Sequence, residues 1–344
     1  MIGERVRLAR EACRLTQQEL AESIGAPLSA VADVEIGRVH NPSSDLIRSI
    51  SSATSFPIGF FQQGALPHLP EGHYRRLKRG TARVSKQVRA QVRQLLELVE
   101  KAEATVSLPP VRINPIRGSL TGAGIEDVAE QARRELGFND REPITNLIRA
   151  VERAGVVVVR LPGKLDDHDG FSVWPEFGLG GRPIVALGST HSGDRDRHTV
   201  AHEMGHLILH TLRSEVLADE AEAEAHRFAG ALLLPRKAAL EAMRAPLTLG
   251  VLMGVKAHYG ASLSMASRRA LELGLIHRSH YVSLQKQLSK RGWRLEEPVK
   301  VDVETPVLID KILRELAGSG SAIDRAERLG LPLFAFRSLL ASSG

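Results

Sequence analysis

The sequence predicts a multidomain protein that is mainly α-helical and contains one small β-sheet. Three observations lead to this prediction. Residues 3–60 contain several short helical patterns, residues 156–187 contain short apolar strand patterns, and longer helical patterns follow. The length of 344 residues is enough for two or three domains. We expect an α-helical domain, an α+β domain and a helical C-terminal region.

The first 64 residues are expected to form a helix-turn-helix domain. Helical patterns cover residues 3–14, 16–25, 28–38 and 45–53. Thr16 is expected to cap the second helix, with Glu19 completing a capping box. Gly25 and Gly37 end the second and third helices. Short helices separated by tight turns are typical of DNA-binding helix-turn-helix modules.

These residues resemble the Xre/Cro-type repressor family. The matching positions are Arg7, Arg10, the run Leu15 to Ala21, and Glu35 to Arg38. The resemblance implies that DNA is a partner, and the candidate contacts in this domain are Gln17, Gln18, Ser29, Ala30 and Arg38. The recognition face departs from the usual pattern, because Ser29, Ala30 and Asp33 stand where longer polar side chains usually read bases. The alternative is a module that serves dimerisation or partner docking.

A basic segment follows the helix-turn-helix pattern. Residues 73–93 hold eight Arg or Lys residues and no acidic residue, whereas residues 1–60 hold six basic and seven acidic residues. Arg75, Arg76, Lys78 and Arg79 are therefore candidate phosphate contacts. The alternative is a solvated helix face. Within this linker, residues 65–118, an apolar stripe along 84–103 predicts a helix that either forms a homodimer or packs on the next domain.

Residues 119–245 are expected to form the α+β domain. Helical patterns at 125–137 and 144–155 precede a buried strand at 156–162. Paired strands at 170–174 and 182–187 are joined by a turn containing Gly178, Gly180 and Gly181, which we interpret as a hairpin and not as a phosphate loop. Helices at 196–212 and 219–233 follow. Residues 246–344 are expected to be helical, with a second segment that resembles a helix-turn-helix.

The chemical centre of the sequence is the run His202-Glu203-Met204-Gly205-His206. Residues four apart share one face of a helix, so His202 and His206 can bind one metal ion. Glu203 is the candidate catalytic base, because it can take a proton from a metal-activated water. A strand hairpin before the motif is typical of zincin-like peptidases. The alternative is a pair of surface histidines without chemical function.

Four histidines lie at intervals of four, because His198 and His210 flank the motif. One ion can bridge only two neighbours in such a column, since a helical turn rises about 5.4 Å and a Zn–N bond is about 2.1 Å. We expect His198 and His210 to support the ligands or to cap the helix. Candidates for a third ligand downstream are Asp219, Glu220, Glu222, Glu224 and His226. Glu222 is preferred because it shares a helix face with small residues. Glu224 is the reserve, and His226 is a candidate to orient Glu222.

The region 165–240 also resembles the ImmA/IrrE family of metallopeptidases. Besides the motif, the matching residues are Asp194, Arg195, Arg197, Thr199, Glu222, Ala225, Phe228, Ala229, Leu232, Leu233 and Pro235. The family pattern has an aromatic residue at the position of His198 and Asn or Asp at that of His226. The resemblance implies one Zn²⁺ per chain, with Mn²⁺ as the other candidate, and a repressor or neighbouring-gene product as substrate.

The sequence therefore predicts a zinc-dependent endopeptidase coupled to a DNA-binding domain, which controls a stress, prophage or mobile-element response. The alternative is an Xre-type regulator or antitoxin with a structural or sensory metal site. One cysteine, Cys13, excludes an intrachain disulfide and favours a reducing compartment. The sequence shows no signal peptide and no long apolar stretch, so we expect a cytoplasmic protein without membrane contact.

Overall fold

The computed structural model describes residues 2–69, 82–161, 169–175, 181–188, 192–213 and 215–341. The chain divides into two compact units. Unit 1 comprises Met1–Leu108, Val159–His168 and Val307–Gly344, and unit 2 comprises Pro109–Val158 and Asp169–Pro306. The domain boundaries given above remain a prediction. None of the described helices has both the length and the apolar character that a membrane span requires.

The described part of unit 1 is built mainly from nine helices. They are α1 (Ile2–Ala12), α2 (Gln17–Ser23), α3 (Leu28–Glu35), α4 (Ser44–Thr54), α5 (Ile58–Gln62), α6 (Ala82–Thr105), α15 (Leu308–Ala317), α16 (Ala322–Leu329) and α17 (Leu333–Ala341). The core of the first five helices is apolar, with Phe56, Phe60 and Phe61 each at most 2 % exposed. Thr16 accepts a hydrogen bond from the Glu19 backbone, and the capping box expected from the sequence is present.

A buried ion pair fixes α1 against α3. Arg10 donates through Nε and Nη2 to the two carboxylate oxygens of Glu35, at 2.6 and 2.8 Å. Such a two-point contact sets both the distance and the orientation of the side chains. Glu35, which the sequence placed in the recognition pattern, is therefore buried in the module.

Unit 2 contains the three strands and eight further helices among its described residues. The strands are β1 (Val157–Arg160, whose last two residues belong to unit 1), β2 (Gly170–Val173) and β3 (Ile184–Leu187). The helices are α7 (Gly122–Glu135), α8 (Leu147–Arg153), α9 (Gly193–His210), α10 (Ala218–Leu233), α11 (Arg236–Ala242), α12 (Leu249–Tyr259), α13 (Leu263–Glu272) and α14 (Arg278–Lys290). The predicted fold class, mainly α with a small sheet, is confirmed.

The sheet has the strand order β1-β3-β2, so β2 is an outer strand in its described part. β2 and β3 are antiparallel, with Gly170 opposite Leu187 and Val173 opposite Ile184. This pairing confirms the predicted hairpin, although Gly178 and Gly180 of its turn lie outside the described residues. The strands are apolar and largely buried, and their core also includes residues of α7, α8, α9 and α10.

Helix α9 passes through this core. Val200, Ala201 and Met204 are each fully buried and pack in this core. Helix α10 ends just before Pro235, as the sequence predicted, because proline lacks the amide hydrogen that a helix interior needs. The two helices and the outer strand β2 position the groups described next.

Candidate metal centre

Two histidine nitrogens face each other on α9. His202 and His206 are one turn apart, and their Nε2 atoms are 3.0 Å from each other. His206 is buried, with only 3 % of its surface exposed. The spacing of four residues brings the two rings to one side of the helix, as expected for i and i+4 positions.

Helix α10 supplies a carboxylate to the same point. Glu222 Oε2 is 3.4 Å from His202 Nε2, and Glu222 Oε1 is 3.4 Å from His206 Nε2. Two donors on one tetrahedral zinc ion with bonds of about 2.1 Å lie about 3.4 Å apart. The three residues therefore fit a zinc ion in both chemistry and spacing, and three protein ligands leave a fourth position for water or substrate.

The contact between α9 and α10 depends on small residues. A Cβ atom at Gly205 would lie 3.1 Å from Ala225 Cα and 3.1 Å from Phe228 Cδ1. Glycine in the motif therefore lets α10 come close to α9. This proximity brings Glu222 within reach of the two histidines, as expected from the small residues that share its helix face.

The carboxylate of Glu203 is held by strand β2. Ser172 Oγ donates a hydrogen bond of 2.6 Å to Glu203 Oε2, and both side chains are buried. The strand lies close to the helix, because a Cβ at Gly170 would be 2.5 Å from Thr199 Cγ2 and 3.3 Å from Glu203 Cγ. Sequence reasoning missed Ser172. A hydroxyl in the middle of an apolar strand was the one available signal.

A chain of hydrogen bonds supports His206 from the far side. His206 Nδ1 is 2.9 Å from His210 Nδ1, and His210 Nε2 is 2.9 Å from Glu224 Oε2. If Nε2 of His206 binds the ion, its Nδ1 carries the proton and donates to His210, which donates to Glu224 from its other nitrogen. His210 thus supports a ligand, the first of the two roles expected for it.

The reserve ligand Glu224 has other partners. Arg213 Nη1 donates to Glu224 Oε2 at 2.7 Å. Burial would raise the pKa of Glu224, but Arg213 and His210 outweigh it and lower the pKa. Burial likewise opposes the ionised form of Glu222, and the hydrogen bonds with His202 and His206 lower its pKa more strongly. Of the two carboxylates, Glu222 is the one that the structure brings to the histidine pair.

Comparison with known families gives two matches. Residues 151–271 match the IrrE N-terminal-like domain of peptidase family M78, and residues 6–61 match the helix-turn-helix family. The chain joins a helix-turn-helix domain to an IrrE-like peptidase domain. A search of curated proteins found no match to the chain. The matches agree with both resemblances expected from the sequence, and the histidine motif, Ser172 and Glu222 all lie within the IrrE-like match.

Two more histidines of the IrrE-like domain lie beside the centre. His198 Nε2 is 3.3 Å from His226 Nδ1, and the two rings are stacked with an interplanar angle of 13°. Burial, with His202 and His226 adding to it, lowers the pKa of His198 to about 3. Partial desolvation of its ring, with His202 adding to it, lowers the pKa of His226 to about 4, although part of the residue is exposed. Both rings are therefore neutral at pH 7.

Clefts open on the IrrE-like domain next to these rings. One of about 600 Å³ is lined by His198, His226 and Tyr281 among others. A second of about 670 Å³ is lined by His198, Trp293 and Glu297 among others. Ser262 and Ser264 border both clefts. His198, which lies one helical turn before His202 on α9, also borders both clefts.

The candidate DNA contacts of the helix-turn-helix domain differ in solvent exposure and in their side-chain partners. Gln18, Ser29 and Arg38 are exposed, and Ala30 is half-buried. Gln17 donates to the buried Glu35 at 2.7 Å, and Arg38 pairs with Asp33 at 3.1 Å. The pair offsets the negative charge of Asp33, which would otherwise repel a DNA phosphate. Arg75, Arg76, Lys78 and Arg79 lie outside the described residues.

Proposed function

We propose that the chain is a zinc-dependent endopeptidase whose helix-turn-helix domain binds DNA, and that its substrate is a transcriptional repressor or the product of a neighbouring gene. The observation that carries the proposal is the convergence of His202, His206 and Glu222 beside the buried carboxylate of Glu203. A structural metal site needs ligands but no adjacent base, so the position of Glu203 favours catalysis.

The roles of the protein groups follow from their positions. A zinc ion held by His202, His206 and Glu222 would polarise the scissile carbonyl and lower the pKa of a water molecule. Glu203 takes the proton of the attacking water and passes it to the leaving amine nitrogen. Ser172 donates to Oε2 of Glu203, and Oε1 is the oxygen that we propose takes the proton. The links from His206 through His210 to Glu224 keep the His206 ring in the orientation that ligation requires.

The clefts favour an endopeptidase over an exopeptidase. Both clefts are bordered by His198, one helical turn from His202, and a peptide that runs through them would pass next to the candidate ligands. An enzyme that removes terminal residues would instead need a closed end with a group that binds the chain terminus. Within the described part of unit 2, the clefts are open to solvent.

The test uses the zinc-loaded full-length protein and a library of peptides from a digested bacterial proteome. Mass spectrometry counts the new termini formed by wild type and by Glu203→Gln. We expect wild type to cleave and Glu203→Gln to cleave at least about 100-fold more slowly, because the base is lost. The variant should retain one zinc per chain, since Glu203 is not a ligand.

Two results would contradict the proposal. Equal cleavage by wild type and Glu203→Gln would exclude this carboxylate as the base. Wild type that binds one zinc per chain but forms no new termini, even from intact repressors of the Xre type, would favour the alternative function. That alternative is a DNA-binding regulator with a structural or sensory metal site, and the helix-turn-helix match supports its DNA-binding part.

A further inference from the structure

Three imidazole rings form a second cluster next to the candidate zinc ligands. His198, His202 and His226 each offer a ring nitrogen, and these three nitrogens lie within 4.8 Å of one another. His198 Nε2 and His226 Nδ1 are 3.3 Å apart. That distance matches the separation of about 3.4 Å between two ligands on one tetrahedral zinc ion.

The cluster also contains a buried nitrogen that lacks a partner. The Nδ1 atom of His202 is buried and makes no hydrogen bond to the described residues. Buried polar atoms are usually paired with protein, water or an ion. His202 is the shared member, because its Nε2 faces His206 and Glu222 while its Nδ1 has no such neighbour.

We propose that His198, His226 and His202 form a second site for a divalent cation, with His202 shared between the two ions. His202 binds the first ion through Nε2 and the second through Nδ1, after its ring loses a proton to solvent. The inference goes beyond the proposed function, because it requires the ligand His202 but no peptide cleavage.

The donor set specifies the class of ion. Three imidazole nitrogens without a carboxylate suit Zn²⁺, Ni²⁺ or Cu²⁺, whereas Mg²⁺ and Ca²⁺ require oxygen ligands. His226 is exposed and borders the cleft of about 600 Å³ together with His198. An ion therefore has a route into the site, and water can complete its coordination. We expect zinc to fill this site when free zinc is in excess.

The second ion should bind at least about tenfold more weakly than the first. Its site requires the loss of the His202 proton, and it lies close to another dication, whose repulsion opposes binding. The experiment is equilibrium dialysis of the metal-free full-length protein against increasing free zinc, with the zinc per chain measured by elemental analysis. Wild type should bind one equivalent tightly and a second equivalent more weakly.

Single variants separate the two sites. His198→Ala and His226→Ala should each lose the second equivalent and retain the first. Glu222→Ala should weaken the tight equivalent, which tells a failure of the first site from a failure of the second. His258→Ala/His277→Ala removes two exposed histidines elsewhere in unit 2 and should bind as wild type does. Circular dichroism of each variant checks that it is folded. His226 is exposed, so its replacement should not disturb the core.

Three outcomes would overturn the inference. The first is wild type that saturates with a single zinc over the whole range. The second is a second equivalent that persists in both His198→Ala and His226→Ala, and the third is a second equivalent that disappears in the control variant. In each case the contact between His198 and His226 is an ordinary hydrogen bond between neutral imidazoles.

Discussion

At the residue scale, Glu222 and Glu224 of α10 have different surroundings although they are only two positions apart. Glu222 contacts the nitrogens of His202 and His206, whereas Glu224 contacts His210 and Arg213. This difference makes one glutamate a candidate ligand and the other a support for a ligand. Their spacing of two places them on different faces of the helix, which separates the two roles.

We therefore expect Glu222→Ala to weaken zinc binding by more than about 100-fold. Glu224→Ala should weaken it by about 10- to 100-fold, the usual effect of removing a group that orients a ligand. Competition with a chelator of known affinity measures both constants. Glu220→Ala, an exposed position on the same helix, is the matched control and should leave the affinity unchanged. A larger loss in Glu224→Ala than in Glu222→Ala would reverse the assignment.

Cys13 gives a second prediction at this scale. Its Sγ donates to the Thr54 carbonyl at 3.3 Å, and burial raises the pKa of the thiol to about 11. A free thiol has a pKa of about 8.5, so at pH 8 the native thiolate fraction should be lower by a factor of 100 or more. We expect a disulfide reagent to modify the native protein at least about 100-fold more slowly than the denatured protein. Comparable rates in the two states would show that the thiol is accessible.

At the element scale, the position of β2 against α9 depends on the absence of a side chain at Gly170. A methyl group there would meet Thr199 Cγ2 at 2.5 Å, so either the strand or the helix must shift. Gly170→Ala should lower the free energy of unfolding by about 1–3 kcal/mol, as overpacked cores do. Chemical denaturation measures the change.

A matched control is Gly254→Ala. Gly254 lies inside α12, and a Cβ there would meet no atom within 4 Å. Alanine favours a helix interior over glycine, so this variant should be as stable as wild type or more stable. If both variants lose stability equally, the contact between Gly170 and Thr199 is not the cause.

Local patterns in the sequence predicted much of the architecture. The capping box of α2, the hairpin of β2 and β3 and the end of α10 before Pro235 depend on neighbouring residues, and the structure contains all three. The histidine pair was equally local, because four residues on a helix define one face. From the sequence, Glu222 could only be preferred among several candidate ligands, because its approach to the two histidines depends on how α10 packs against α9.

Contacts between distant segments were not predictable in this way. Ser172 and Glu203 are 31 residues apart. Arg269 and Glu126, a buried ion pair, are 143 residues apart. No periodicity links such residues, because they meet only after the sheet and helices have packed. His198 and His226 were each noted from the sequence, but their contact required the relative placement of α9 and α10.

At the scale of the whole molecule, charge is divided between the parts of the chain. The helix-turn-helix region is slightly acidic, and the segment from residue 73 to residue 93 carries eight basic residues. If the protein binds DNA, the basic segment should provide much of the phosphate contact. Affinity and its salt dependence would then reside mainly outside the residues that match the helix-turn-helix family.

The prediction is a change in salt slope in the full-length protein. Replacing Arg75, Arg76, Lys78 and Arg79 by Gln should make the slope of log affinity against log salt shallower by about one unit for each lost contact, hence by about four units. Titration of labelled duplex DNA at several salt concentrations measures it. Arg278→Gln/Lys286→Gln/Lys290→Gln/Lys300→Gln removes the same charge from exposed positions of unit 2 and should retain the wild-type slope. An unchanged slope in the first variant would assign DNA contact to the helix-turn-helix domain alone.

The outer position of β2 also gives a bound chain a direction. β2 runs from Gly170 to Val173, and its partner β3 runs the opposite way. A peptide that adds to β2 in antiparallel order has its amino-terminal residues beside Val173 and its carboxy-terminal residues beside Gly170. Alternate side chains of such a peptide face α9 and solvent in turn. The polarity of the peptide, and which of its side chains are read, would then be set by the strand, while the position of the cut would be set by the groups on α9.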